Sequence, residues 1–335
     1  MKFAVVGAGS IGGYLGSRLA LAGADVTFIA RGQNLAAINA HGFRLIEEDG
    51  AENVVKVGAV SIAEPGQYDF VLLALKAHQV TALAPELPRL FHAKTSVVTL
   101  QNGVPWWFFH KLAGPYEGRT VTSADPGGVI ATNIANDRII GTVVYPASEL
   151  VSPGVVKVIE GNRFTLGEPD GSKSERIQAL SAALAGSGFK APVSTDIRAE
   201  IWLKLWGNVV FNPVSALTHA TLVDICQFPA TRALAVAMMS EAQAIAEKLG
   251  IRIRISIDKR IAGAEAVGAH KTSMLQDIEA GRAPELDVMV GSVVEMARLT
   301  DTPTPAIDAV HACASLLART LAEQRGRLQI QPLQP

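Results

Sequence analysis

The chain has 335 residues and a mass of 35.3 kDa, with 30 basic against 31 acidic side chains and a formal charge of −1. That balance excludes an electrostatic partner such as nucleic acid or an anionic membrane surface. Apolar residues make up 49% and charged residues 18%, with 30 glycines, which excludes a disordered chain and leaves a compact globular protein of about two domains.

In chain order, the apolar run Phe3-Ala4-Val5-Val6 leads into Gly7-Ala8-Gly9-Ser10-Ile11-Gly12 and a helical stretch over residues 11–22, closed by Gly23. Residues 25–30 read as the next strand. The N-terminus resembles a short signal peptide, but its glycine-rich continuation suits a βα turn better. Unbroken apolar or β-branched runs at 70–75 and 96–100, with a helical pattern at 80–87 between them, predict a parallel, doubly wound sheet covered on both faces. From 121 to 166, short β-like runs (139–140, 143–145, 155–159 and 164–166) predict strands extending the same domain, followed by a loop at 167–171 and a helix at 174–185.

Beyond Pro192 the pattern is helical. Thr195-Asp196 opens a helix that Asn212-Pro213 is expected to end, because the proline ring disfavours helix at the residue before it. Further helices are predicted at 231–249, capped by Gly250, and at 286–299 and 306–322, while 251–255 alternates like a strand without an obvious place. The predicted organisation is an α/β Rossmann-type domain over 1–193, an all-α domain over 194–325 and a tail over 326–335.

Gly7, Gly9 and Gly12 form a dinucleotide fingerprint in its required context, after a strand and opening a helix. The first glycine makes the turn, the second lets pyrophosphate approach the backbone, and the third packs helix on strand. At the end of the second strand, where an NAD site carries an acid, this chain has Arg31. A guanidinium suits a 2′-phosphate that a carboxylate would repel, so NADP is the expected cofactor; a solvated surface arginine is the competing explanation. Lys76 and Asn102-Gly103 follow predicted strands at the ligand-binding end of the sheet, though each alone could be an ordinary loop residue.

Glu200, Lys204, Asn208 and Asn212 recur every four residues, so each lies about 400° round the helix and ~6 Å further along it, near one face. Apolar neighbours such as Ile201 and Leu205 can lower the pKa of a lysine there until it passes protons near neutral pH, and asparagine amides bind carbonyl, hydroxyl or carboxylate groups. A solvated stripe with a Glu200–Lys204 ion pair is the alternative. Ser273, near a helix start, and Glu285, after Pro284, read equally as capping residues. Trp106, Trp107, Trp202 and Trp206 suit packing better than base stacking. Cys226 and Cys313 are expected to be two buried thiols in a reducing compartment. His78, His92, His110, His219, His270 and His311 lack metal-ligand spacing, so no metal is expected. Nor does any segment run ~18 apolar residues, which predicts a soluble cytoplasmic protein.

Together these segments resemble the ketopantoate reductase family, the 2-dehydropantoate 2-reductases of the pantothenate route. The resemblance runs from Gly7–Gly12 through Arg31, Leu75-Lys76-Ala77-His78-Gln79 and Gln101-Asn102-Gly103-Val104. It continues with Glu200-Ile201-Trp202-Leu203-Lys204-Leu205, Asn208, Asn212-Pro213, Ser273-Met274-Leu275-Gln276-Asp277 and Glu285-Leu286-Asp287. It implies NADPH-dependent reduction of ketopantoate to pantoate, towards coenzyme A. By this resemblance Lys204 is the proton donor, and Asn102, Asn208, Asn212 and Ser273 bind substrate. Gly7, Ala8, Gly9, Ser10, Ile11, Gly12, Arg31, Lys76, Asn102 and Glu285 bind cofactor.

Two departures leave the acid open. His219-Ala220-Thr221-Leu222 lacks a further substrate asparagine found in some pantothenate enzymes, and Ala124–Gly128 with Trp106-Trp107 marks a sub-branch. Alternatives are an NADP-dependent reductase of another small 2-oxo acid and a non-catalytic NADP-binding sensor. A small-molecule substrate is the expected partner, and a homodimer is allowed.

Overall fold

A computed structural model describes residues 1–331; residues 332–335, the end of the expected tail, lie outside the described residues. Contacts divide the chain into two compact units, one of residues 1–120 and 125–200, the other of residues 121–124 and 201 onward.

The first unit is built on β1 (Lys2–Val6), α1 (Ser10–Leu21), β2 (Asp25–Ile29), α2 (Gly32–His41), β3 (Phe43–Ile46), β4 (Glu52–Val55), β5 (Gly58–Val60), β6 (Tyr68–Leu73), α3 (Ala77–Leu83) and β7 (Phe91–Thr99). It continues with α4 (Val129–Asn133), β8 (Ile139–Val144), β9 (Ala147–Ser152), β10 (Val155–Glu160), β11 (Phe164–Gly167) and α5 (Glu175–Gly186). Seven strands form one sheet in the order β11-β8-β7-β6-β1-β2-β5, parallel except for β11 against β8. This is the expected doubly wound architecture. Strand order reverses at β1, whose residues 3–6 are fully buried, so the carboxyl end of β1 faces the crevice where such sheets bind ligands.

Strands β4, β3, β10 and β9 form a second sheet. The run at 155–159 is therefore a strand as expected, but it pairs with β3 and β9 instead of extending the parallel sheet. The partners β3 and β4 escape a periodicity reading because each has only 4 residues with polar side chains among them.

The helix α6 (Ile197–Thr218), whose first turn belongs to the first unit and the rest to the second, starts where Asp196 Oδ1 accepts the Ala199 amide at 3.1 Å, as expected. It does not stop at Asn212-Pro213. The ring of Pro213 removes one helical hydrogen bond, yet Val214, Ser215 and Ala216 are buried, and that packing carries the helix on to Thr218. Then follow α7 (Leu222–Gln227), α8 (Pro229–Lys248), α9 (Ile257–Ala266), α10 (Ser273–Glu279), α11 (Ser292–Leu299) and α12 (Pro305–Gln324). Residues 251–255 form no strand.

The helix expected over 286–299 opens with a widened π turn at Asp287–Gly291, which Leu286 separates from Glu285. Such turns are frequent at functional sites. Cys226 is buried, but Cys313 is exposed on α12, against the expectation of two buried thiols. All four tryptophans are buried, Trp206 donating to Met239 O at 2.7 Å, as packing residues do. Among the described residues no helix is long and apolar enough to cross a membrane, and no cluster of His, Cys, Asp or Glu could hold a metal ion.

Candidate active site

The glycine-rich turn connects β1 to α1. Gly7 has φ +105°, a conformation that side chains rarely adopt, and a Cβ there would stand 2.8 Å from Ala74 O. A Cβ at Gly12 would stand 2.0 Å from Gly7 O, so helix and turn meet only because both positions are glycine. Gly9 is different: a Cβ there would meet nothing within 4 Å. It is the N-cap of α1, no side chain caps that helix, and the first amide bonded to Gly9 O is that of Gly13. The amides of Ser10, Ile11 and Gly12 thus have no intrahelical acceptor, and the open space beside Gly9 leaves room at this helix start, an arrangement that fits a pyrophosphate. Arg31, exposed, is the N-cap of α2 just beyond β2.

At the carboxyl ends of β6 and β7 the two expected loop residues are held by one neighbour. Gln101 donates through Nε2 to Leu73 O at 2.6 Å and Leu75 O at 3.0 Å, tying the end of β6 to the Asn102-Gly103 turn. Lys76 is partly buried at the N-cap of α3, where its own amide donates to Gln79 Oε1 at 3.2 Å. The role of Gln101 had no signal in composition; a glutamine beside Asn-Gly at a strand end is the only hint.

Lys204, Asn208 and Asn212 lie on the part of α6 that belongs to the second unit. Lys204 and Asn208 are partly buried, and Asn212, 5% exposed, donates its amide to Met289 Sδ at 3.2 Å. Thioether sulfur is a weak acceptor, so the carboxamide keeps most of its polar capacity for another partner. Burial pulls the pKa of Lys204 from 10.5 down to about 8, while the charge of Glu285 acts to raise it. The structure thus brings Lys204 and Glu285 together, and the carboxylate that acts on the lysine is Glu285, not Glu200. Ser273 is exposed as the first residue of α10, but the cap is Thr272, whose hydroxyl accepts the Leu275 amide at 3.3 Å. That frees Ser273 from the capping explanation.

Three anchors emerged only with the structure. Glu295 accepts from the amides of Thr122 (2.7 Å) and Ser123 (2.8 Å) and from the Ser123 hydroxyl (2.7 Å), which fastens segment 121–124 to α11. Asp125, 1% exposed, caps α4 by accepting the amides of Ile130 and Ala131. Arg198, buried in the first turn of α6, donates to the carbonyls of Phe108, Pro169 and His110.

A glycine-rich βα turn on a doubly wound parallel sheet, followed along the chain by helices, is the architecture of a dinucleotide-binding protein. Residues 3–171 match the family described as ketopantoate reductase PanE/ApbA, and residues 196–318 match its C-terminal part. A 2-dehydropantoate 2-reductase from Mesorhizobium japonicum is 53% identical over 97% of this chain and 99% of its own. A candidate ketopantoate reductase structure from Ralstonia solanacearum superposes with a TM-score of 0.91 at 41% identity, covering 95% of this chain and 98% of that one. A D-mandelate dehydrogenase in complex with NADH and anilino(oxo)acetate shares the fold, with a TM-score of 0.81 at 22% identity over 96% and 99% of the two chains. The chain belongs to the ketopantoate reductase family, and it is an oxidoreductase acting on a CH–OH/C=O group.

Proposed function

We propose that the protein reduces 2-dehydropantoate to pantoate with NADPH, a step towards pantothenate and coenzyme A. The observation that carries the reading is Lys204, an ammonium whose pKa of about 8 lets it hold a proton at neutral pH and give it up readily. NADPH, when bound, supplies the hydride that the substrate carbon accepts. The protein's own part is to hold and move the accompanying proton: Lys204 Nζ donates it to the carbonyl oxygen as that oxygen gains negative charge, leaving a neutral amine that solvent reprotonates. A cation in surroundings that disfavour charge stabilises that developing alkoxide more than it would in water.

In this reading Asn102, Asn208, Asn212 and Ser273 bind the substrate's hydroxyl and carboxylate. Glu285, on the nicotinamide side, keeps Lys204 protonated through its charge. The amides around Gly7, Ala8, Gly9, Ser10, Ile11 and Gly12 take the pyrophosphate, Lys76 lies by cofactor or carboxylate, and Arg31 pairs with the 2′-phosphate. The free thiols Cys226 and Cys313 suit a reducing compartment, and the reading places the protein in the cytoplasm.

The test is NADPH oxidation with a panel of 2-oxo acids. Ketopantoate is expected to give the highest kcat/KM; turnover of another acid with none of ketopantoate overturns the assignment. Arg31→Ala is expected to raise KM for NADPH far more than for NADH, and equal effects overturn the choice of NADP.

A further inference from the structure

The second sheet of the first unit lies outside the parallel sheet that presents the glycine-rich turn, yet one side chain bonds directly to both that turn and the second sheet. Asn34, in the first turn of α2, donates through Nδ2 to Ala8 O at 3.3 Å and accepts through Oδ1 from Gly154 N at 3.0 Å. Ala8 lies within the glycine-rich turn, and Gly154 lies in the turn between β9 and β10. A carbonyl can only accept and an amide N–H can only donate, so the orientation of the Asn34 amide is determined by its partners. The hairpin turn also rests on α2: Gly154 has φ +73°, and a Cβ there would stand 3.3 Å from Ala37 Cβ.

Between them is an open cleft of ≈ 380 Å³, lined by Arg31, Gln33 and Asn34 on one side and Leu150, Ser152 and Pro153 on the other. Its charge pattern is informative. Among the described residues Arg31 is the one charged lining residue, Gln33, Asn34 and Ser152 offer neutral hydrogen-bond donors, and no carboxylate lines it. One guanidinium, neutral donors and no acid are what a small dianion requires.

We propose that Ser152, on the wall of this cleft that faces Arg31, shares with it the selection of NADPH over NADH, and that Asn34 is the positioning residue that links the two walls. The proposal rests on the reading of the cofactor as NADP. It adds a second wall to the subsite, drawn from a sheet that a dinucleotide-binding βαβ unit does not contain.

The experiment measures dissociation constants for NADPH and NADH in the full-length wild-type protein, Arg31→Ala, Ser152→Glu and Asn34→Ala. Ser152 is exposed, so the glutamate variant folds. With one added negative charge beside a phosphate, its preference for NADPH is expected to fall on the order of tenfold, with NADH affinity changing less than twofold. The effect should shrink at 1 M salt, where the screening length is about 3 Å. For Asn34→Ala the NADPH/NADH ratio is expected to fall severalfold.

If wild type prefers NADPH and Arg31→Ala removes the preference, but Ser152→Glu weakens both cofactors equally or neither, the second wall is wrong and the NADP reading stands. An unchanged ratio in Asn34→Ala, with only a lower melting temperature, makes Asn34 merely structural and overturns its part. A wild type without preference overturns both readings.

Discussion

Replacing Lys204 by Met keeps most of the unbranched apolar stem of the side chain and removes the ammonium. Two opposite effects are expected. With no proton donor, kcat should fall at least ~100-fold, the lower end for loss of a general acid, while NADPH binding stays nearly intact. Stability should rise. The fall from the ordinary 10.5 to about 8 means that the folded protein binds this proton less tightly than the unfolded chain, a cost of about 3 kcal/mol wherever both states are protonated. That cost is fully present below pH 8, fades as pH rises from 8 to 10.5, and is absent above. Lys204→Met should therefore be more stable than wild type at pH 7 by up to about 3 kcal/mol and indistinguishable from it near pH 11. Denaturant titrations at the two pH values, beside steady-state rates at pH 7, measure both effects. A variant less stable at pH 7, or one with unchanged kcat, refutes the picture of a desolvated catalytic ammonium.

Three further substitutions probe the same structure. Because Glu285 acts to raise the pKa of Lys204, Glu285→Gln should lower it below about 8 and move the alkaline fall of kcat/KM to lower pH; an unmoved profile would mean that Lys204 does not set it. Gly12→Ala forces a Cβ to within 2.0 Å of Gly7 O, so a stability loss of about 1–3 kcal/mol and at least tenfold weaker NADPH binding are expected from thermal melting and fluorescence titration. Glu295→Ala deprives the amides of Thr122 and Ser123 of their acceptor, which should cost about 2 kcal/mol and speed proteolysis within residues 121–124 relative to wild type. Uniform cleavage rates would show that the carboxylate does not hold that segment.

The features legible in the amino-acid sequence are those whose physics is local. The turn at Gly7–Gly12 could be read because glycine stereochemistry and the change from strand to helix lie within a dozen or so residues. The alignment of Lys204, Asn208 and Asn212 on α6 could be read because the helical repeat needs no other part of the chain. Where several segments had to agree, local reading failed. Pro213 is a sound reason to end a helix, and only the burial of the residues after it outweighs that preference. Strands β3 and β4 are too short and too polar to announce themselves, and they exist because β10 pairs with β3 and β4 completes the ladder.

The site divides in the same way. Sequence placed Lys204 on a polar face but left the charge state of that face undecided, with Glu200 as the nearest acid in the pattern. Tertiary structure made Glu285 the acid that acts on it, and gathered enough surrounding protein to bring the lysine's pKa to about 8. Desolvation and charge–charge energy depend on every group within a few ångströms, from whatever part of the chain it comes, and no local pattern encodes that sum. The glycine-rich turn and the polar stripe on α6 were thus determined by sequence alone, while the acidity of Lys204 and the walls around Arg31 were decided only by the fold.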